Sequence, residues 1–591
     1  MCGIAGYIGR KEVSPLLVNS LKRLEYRGYD SWGIAVKSNG SLSVLKKVGK
    51  IGAVDSNALG ISSKNALQIG ISHTRWATNG GVSELNAHPH LSSNGSIAVV
   101  HNGIVENYYE LKKQLEKEGI NLISECDSEI IPNLIESEMN RNADFITACV
   151  NALRKIEGSY AVAILHTDFD GIVAARNGSP LVLGIGKEKE FFVGSDIPAF
   201  LEHTNRVIYL GDNELAVLSS GFRVFSLQSF KEVKKKAETI SWTFEQAEKG
   251  NYEHFMLKEI NEQKYTIKKA VAQEKKFIDT IVKEIKSAKG IFFLGCGTSY
   301  HACISASYIF SHVAGMHVNP VLASEFSNYR DFIKKETLVF AVSQSGETAD
   351  LLDAVRASNE KGAKVISIAN VMGSTLTRMA GINIMMNSGP EICVLSTKTY
   401  TAQVAIMALL AYSVAGKYRE GKSLVENVSS LVPEIIADSE PKAKKLAAQI
   451  KDSRSIFLIG RDLAYPSSLE GALKIKEVSY IHAEGFAGGE LKHGTIALID
   501  KGTPVIALST ESTRQLMNSN ASEVKSRGAY VIGISSEEND LYDFFMPVPE
   551  FGMANPLAMI IPVQLLAYYL AVGRNLDPDK PRNLAKSVTV R

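Results

Sequence analysis

The sequence has little cysteine for its length, six residues in 591, and no CxxC pair among them. Cys2, Cys126, Cys149, Cys296, Cys303 and Cys393 are spread too thinly to suggest a zinc cage or a disulfide framework, so no metal and no cofactor is expected and reduced thiols in the cytosol fit best. A dominant charge is also missing. The formal net charge of +2 gives no electrostatic case for nucleic acid, which leaves small molecules as the expected partners. No basic segment followed by an apolar run opens the chain, which argues against secretion. A GK[ST] nucleotide loop is absent too.

Long clean apolar runs are lacking as well. The stretch 551–573 carries no charged residue, but Asn555, Pro556, Pro562 and Gln564 interrupt it. A spanning helix needs about 20 predominantly apolar residues, so the expectation is no membrane and a strand followed by a buried core helix.

What is present begins with size. A single core stops growing at roughly 250–300 residues, so two to four domains are expected. After about Gly290, apolar strand-like runs end in small or polar residues and enter helical patterns, as in parallel α/β units. Three such runs recur: IFFLGCGTSY at Ile291 as IFLIGRDLAY at Ile456, LVFAVSQSGET at Leu338 as PVIALSTES at Pro504, and GAKVISIAN at Gly362 as GAYVIGISS at Gly528. The offset is 165 or 166 residues each time, which reads as two copies of one doubly wound domain joined through the helical GKSLVENVSSLVPEII at Gly421. Ligands in such sheets sit at the carboxyl ends of the strands.

The first 240 residues differ. Short alternating runs such as SIAVVHNGIV and YAVAILHT predict an α+β domain with antiparallel strands. The charged, interrupted KEVKKKAETISWTFEQAEKGNYEHFMLKEINEQ reads as the connection.

The opening MCGIAGYIG places a cysteine where removal of Met1 would make it the N-terminal residue. GIAGYIG reads as a strand, and Cys2 alone is either one buried thiol or a nucleophile that uses its own α-amine, which titrates at about 7.7–8.0, as base.

SQSGETAD lies between an apolar run and a helical pattern, so Ser343, Gln344, Ser345 and Thr348 crowd a helix N-terminus. Capping is the commoner use of such residues, but four polar side chains in six positions exceed what one cap needs, and a phosphate is the natural guest. GCGTSY adds Thr298 and Ser299 at a neighbouring strand end.

SSLEGALKIKEVSYIHAE reads as a helix with Glu470, Lys474 and Glu477 at i, i+4 and i+7 on one face. A solvated ion-paired face looks the same; the following GGELKHG, which brings His493, favours acid–base chemistry on a sugar. In the terminal PRNLAKSVTV, Lys586 is surrounded by small and apolar residues, a setting in which an amine docked in an apolar site forms a Schiff base with a ketone.

From MCGIAGYIG through LEYRGYDS, HTRWAT, NAHPH, HNGIVEN, CGTSY, SQSGETAD, STKTYT, EGALKIKEVSYIHAE, GELKHG and PRNLAKSVTV, the chain resembles the glutamine–fructose-6-phosphate aminotransferase family over essentially its whole length. The resemblance implies an α+β N-terminal-nucleophile hydrolase (class-II glutamine amidotransferase) domain, followed by two α/β doubly wound sugar-isomerase (SIS) domains. It implies amide hydrolysis, internal passage of ammonia to fructose 6-phosphate, and glucosamine 6-phosphate and glutamate as products, the first step of hexosamine biosynthesis. The boundaries expected are 1–225 for the first domain, 226–280 for a linker, 281–420 and 446–581 for the two isomerase domains, and 582–591 for a tail closing the isomerase site.

Carried over by motif, Cys2 is the nucleophile, Arg75 and Asp127 hold the glutamine carboxylate and amine, and Asn102 with the Gly103 backbone forms the oxyanion hole. Trp76 resembles an indole gate on the ammonia path. Ser299, Ser343, Gln344, Ser345 and Thr348 take the phosphate, Glu477 shuttles the proton between C1 and C2, and His493 opens the ring. Lys586 forms the Schiff base and Lys474 supports the site. In the family the histidine comes from the partner subunit, which implies a homodimer. The family's ATHGG is ATNGG here, with Asn79, and its YDSAG is YDSWG, with Trp32.

Two alternatives accompany this reading. Another class-II amidotransferase would need a phosphoribosyl loop or an SGGxDS loop, and neither is present. A non-catalytic sugar-phosphate sensor leaves Cys2, Glu477, His493 and Lys586 without a purpose.

Overall fold

Alternation of apolar and small residues makes the N-terminal runs pair as antiparallel strands. The computed structural model describes residues 2–38, 40–52, 54, 67–77, 79–240 and 242–589, and the chain divides into two units, residues 1–248 with 585–591, and residues 249–584.

In the first unit the strand Gly3–Gly9 lies between Phe191–Gly194 and Gln68–Arg75 in an eight-stranded sheet. A six-stranded sheet is built around Ile97–Val105 paired with Gly158–His166. Ile4, Ile8 and Ile71 from one sheet meet Val100, Ala161 and Ala163 from the other in a single apolar layer. The outer faces are closed by the helix Val13–Leu24 on the first sheet and by Ile130–Asn140 and Phe145–Arg154 on the second. The layering is therefore helix, sheet, sheet, helix, and each fully buried Ile or Leu in it contributes about 1.5–3 kcal/mol.

The second unit contains two five-stranded parallel sheets. The spatial order of the first is Asn319–Leu322, Gly290–Gly295, Thr337–Ser343, Lys364–Ala369, Ile382–Met385. The second repeats it as His482–Ala487, Ser455–Gly460, Pro504–Leu508, Tyr530–Ser535, Phe544–Pro547. The three repeated sequence runs occupy equivalent strands in the two sheets. GKSLVENVSSLVPEII lies within the helix Tyr418–Ile450, which shares an apolar cluster with Lys398–Val414 and Asn555–Gly573.

Three local expectations are corrected. Within the expected linker 226–280, Phe255–Ala270 is a helix of the second unit, with Met256, Ile260, Ile267 and Ala270 fully buried on one stripe. Its charged residues mask that stripe in the sequence. Phe551 does not begin a strand: a 3-10 turn, Gly552–Ala554, precedes the helix Asn555–Gly573, with Gly552 at φ +54° and the Asn555 side chain accepting the Phe551 N–H at 2.7 Å. That helix is apolar and long enough to cross a membrane, yet 83% of its apolar window is buried within the fold. The helix carrying Glu470 ends at Ser479, because Tyr480 takes left-handed geometry (φ +58°) and His482–Ala487 pairs as a strand.

Candidate functional site

Cys2 directly precedes the central strand of the first sheet, and the strand Gln68–Arg75 beside it delivers Arg75 and Trp76 to the same end. The Trp76 N–H donates to Cys2 Sγ at 3.2 Å. From the second sheet, Asn102 Nδ2 donates to the Cys2 carbonyl at 2.9 Å. Burial pushes the Cys2 thiol above its ordinary range, with the Trp76 N–H and the Arg75 guanidinium opposing. A thiol so placed needs a base to ionise.

Gly103 sits at φ +132°, and a Cβ there would lie 1.9 Å from the Ser159 carbonyl oxygen. Only glycine lets the strand Ile97–Val105 keep its register at this position. Cys2, Trp76, Asn102 and Gly103 line a cavity of about 80 Å³ that Ser587 and Val588 of the tail also border.

Asp127 is buried at the start of a 3-10 turn, where its Oδ2 accepts the Val105 N–H at 2.8 Å. Arg75 is buried too, and its guanidinium donates to the carbonyls of Asn79, Gly80 and Gly81. Asn79, one of the two departures, therefore contributes a backbone oxygen to the arginine's cradle. Trp32, the other, is packed among Leu21, Leu24 and Ile34.

Four buried histidines that the sequence reading did not nominate surround this site. His73 Nε2 lies 3.0 Å from both the His101 carbonyl and Asn102 Oδ1, and its ring stacks on His88 at 4.0 Å. Burial lowers all four: His73 to about 3, His88 and His90 well below the ordinary value, and His101 as well. His88, His90 and Cys126 offer three donor atoms within 4.8 Å of one another. The chemistry does not fit a cation, because His88 Nδ1 accepts the His101 N–H at 3.3 Å, so its Nε2 carries the proton and faces Cys126 Sγ at 3.7 Å. Motif spacing hid this group, since the four rings come from three separated runs.

In the second unit the helix Ala464–Ser479 brings Glu470, Lys474 and Glu477 together as the i, i+4, i+7 pattern predicts. Lys474 Nζ lies 3.4 Å from Glu470 Oε1 and 2.8 Å from Glu477 Oε2, with Lys474 and Glu470 1% and 0% exposed and Glu477 21%. This is not a solvated face. Burial alone would lower the Lys474 amine, but the two carboxylates outweigh it and hold the pKa above the ordinary range. Thr298 Oγ1 accepts from Lys474 Nζ at 2.9 Å and donates to Glu470 Oε1 at 3.1 Å, so this hydroxyl serves the ion-paired cluster. His301, one turn further along the helix Thr298–Ile309, sets its Nδ1 2.8 Å from Glu470 Oε2. Sequence reasoning missed His301; its i+3 spacing from Thr298 was the available signal.

Ser299 is buried in the first turn of that same helix. The strand Thr337–Ser343, parallel neighbour of Gly290–Gly295, carries Ser343 and Gln344 at the equivalent carboxyl end. Thr348 occupies the N-cap of the helix Ala349–Glu360 but makes no side-chain cap bond, and its hydroxyl lies 3.3 Å from Ser343 Oγ. Ser343 Oγ accepts the Gly346 N–H at 3.0 Å, and Ser345 Oγ the Glu347 N–H at 3.2 Å. The hydroxyls thus shape the loop, and Thr348 does not serve as the helix's side-chain cap.

His493 is exposed at the end of the short turn Leu491–His493. Lys586 is half-buried in the tail segment 585–591, which groups with the first unit.

Comparison with known proteins matches residues 73–202 to a glutamine amidotransferase domain and residues 284–413 and 449–574 to SIS domains. The chain is 44% identical to glutamine–fructose-6-phosphate aminotransferase [isomerizing] of Thermococcus kodakarensis, and 44% identical to the protein so named in Methanothermobacter thermautotrophicus, in each case over 100% of both chains. Among solved structures, the C-terminal domain of glucosamine-fructose-6-phosphate aminotransferase from Francisella tularensis matches with a TM-score of 0.53 and 31% identity, covering 56% of this chain and 99% of that one.

Proposed function

The chain belongs to the glutamine–fructose-6-phosphate aminotransferase family, and from that premise we propose how its residues divide the work. Glutamine is hydrolysed in the first unit, and the ammonia released converts fructose 6-phosphate to glucosamine 6-phosphate in the second. The observation that carries this reading is the arrangement of Cys2 against the Trp76 N–H, the Asn102 amide and Gly103, for which a sugar-phosphate sensor has no use.

Once Met1 is removed, the α-amine of Cys2 takes the thiol proton and Sγ attacks the glutamine amide carbon. Charge that develops on the amide oxygen is met by Asn102 Nδ2 and the Gly103 N–H. The C–N bond then breaks, ammonia leaves with the transferred proton, and water hydrolyses the thioester to glutamate. Arg75 and Asp127 answer the substrate's α-carboxylate and α-ammonium. Trp76, at the wall of the same cavity, borders the way out for ammonia.

In the second unit, the Ser343–Thr348 loop and Ser299 take the sugar's phosphate on N–H and hydroxyl donors at helix starts. Lys474 is held charged between two carboxylates, so it is a poor candidate for Schiff-base formation and a good electrostatic support. Lys586, on the tail segment that groups with the first unit, is assigned the Schiff base by the family's motif alone. Glu477, the more accessible of the two carboxylates, carries the proton between C1 and C2. His493, exposed in its own chain, is supplied to the site of a second copy to open the ring, which makes the working protein a homodimer. Six free thiols accord with a cytosolic setting.

The test is a product assay with each substrate omitted in turn. Glucosamine 6-phosphate is expected only when glutamine and fructose 6-phosphate are both present; its absence from folded protein with a free N-terminal Cys2 would overturn the assignment.

A further inference from the structure

We propose that His73 is a positioning residue of the glutamine-hydrolysing site, holding the Asn102 amide in the one orientation that presents its N–H groups to the reacting centre. The inference rests on the reading of Cys2 and Asn102 given above.

The amide of Asn102 is fixed at both ends. Its Nδ2 donates to the Cys2 carbonyl at 2.9 Å, and its Oδ1 lies 3.0 Å from His73 Nε2. The other atom at 3.0 Å from Nε2 is the His101 carbonyl oxygen, which only accepts. His73 Nε2 must therefore carry the proton and share it between the two oxygens. His73 Nδ1 is buried with no hydrogen-bond partner, so nothing stabilises a second proton and the ring is a neutral donor.

Two further contacts stiffen the ring. It stacks on His88 at 4.0 Å with 25° between the planes, and His88 is in turn fixed by the His101 N–H on its Nδ1. The strand Gln68–Arg75 thus places two polar side chains on one face: Arg75, cradled by the carbonyls of residues 79–81, and His73, bonded to Asn102 Oδ1.

The bond to the Cys2 carbonyl holds only the Nδ2 end of the amide, and the Oδ1 end is held by His73 Nε2. If His73 loses its donor, Oδ1 is left buried without a partner and the amide turns to find one, which takes Nδ2 away from the developing charge. Removing an oxyanion donor outright costs about 10²–10³ in kcat, so displacing it should cost roughly 10- to 100-fold.

The experiment compares His73→Leu, which removes the donor, with His73→Gln, whose Nε2 stands the same number of bonds from Cβ as the imidazole Nε2. Both are made in the full-length chain and assayed for glutamine hydrolysis, with alkylation of Cys2 by iodoacetamide as a readout that needs no oxyanion hole. Expected are a kcat lowered about 10- to 100-fold in His73→Leu with KM within about 3-fold, recovery of most of the loss in His73→Gln, and unchanged alkylation in both. Should His73→Leu fail to fold, His73→Met serves as the donor-less variant. An unchanged kcat in a folded donor-less variant, or a His73→Gln as impaired as it, overturns the proposal. A wild-type protein without glutaminase activity instead defeats the reading of Cys2 and is distinguishable on that ground.

Discussion

Lys474 and Glu470, one helical turn apart, form an ion pair at 3.4 Å in which neither side chain is more than 1% exposed. Removing one member of a buried pair leaves the other charge uncompensated, at a cost of about 3–5 kcal/mol. Lys474→Met should therefore lower stability by about 3 kcal/mol and abolish sugar amination. Lys474→Met combined with Glu470→Gln should regain most of the stability and none of the activity. Denaturant unfolding of both variants checks this. A destabilisation under about 1 kcal/mol in Lys474→Met would mean that the pair is not electrostatically tight.

Acid should loosen the first unit through its histidines. His73, His88, His90 and His101 have folded pKa values below the unfolded value of about 6.5. The unfolded chain therefore binds more protons below that pH, and stability falls as pH falls from about 6.5 toward the folded values, near 3 for His73. Each such histidine contributes a slope of up to about 1.4 kcal/mol per pH unit. Melting temperature should change little between pH 7.5 and about 6.5 and fall from there to pH 5, and His90→Asn should flatten that fall. A stability independent of pH in this range would show that these rings are already protonated or solvated.

Gly103→Ala should remove glutamine hydrolysis altogether. The new Cβ meets the Ser159 carbonyl oxygen at 1.9 Å on the paired strand, so the backbone must shift at the very N–H assigned to the oxyanion. The assay is kcat for glutaminase alongside binding of fructose 6-phosphate, and the second quantity should be unaffected. Retained hydrolysis would remove Gly103 from the mechanism.

The phosphate loop is tested by Thr348→Val. Because Thr348 makes no side-chain cap bond, the helix Ala349–Glu360 should keep its stability, and the melting temperature should change little. A lost hydrogen bond to a charged group is worth about 1.5–3 kcal/mol, so the KM for fructose 6-phosphate should rise at least about 10-fold. An unchanged KM with a lowered melting temperature would restore capping as the role of this residue.

Much of this architecture was legible in the sequence because its signals are local or periodic. The constant repeat offset foretold two sheets of identical strand order, and i, i+4, i+7 spacing foretold the Glu470–Lys474–Glu477 face. The strand GIAGYIG was likewise visible, since a short run of apolar and small residues suffices for a strand buried on both faces. Other features depend on contacts between distant runs. The His73–Asn102 bond joins two sheets, and the His301–Glu470 contact joins helices 169 residues apart. Nothing in either local pattern announces them. The helix Phe255–Ala270 was concealed for another reason, as its lysines and glutamates outnumber the apolar stripe that buries it. The end of the helix at Ser479 turned on Tyr480 adopting left-handed geometry, which a tyrosine rarely signals.

In the proposed reaction one chain takes nitrogen from the glutamine amide and places it on a sugar phosphate. This transfer is tested most directly by supplying glutamine labelled with ¹⁵N at the amide, together with fructose 6-phosphate and an excess of unlabelled ammonium, to protein with a free N-terminal Cys2. Glucosamine 6-phosphate carrying ¹⁵N at its amino group is expected, and no labelled product from Cys2→Ala. Unlabelled amino sugar, or glutamate formed with no amino sugar at all, would contradict it.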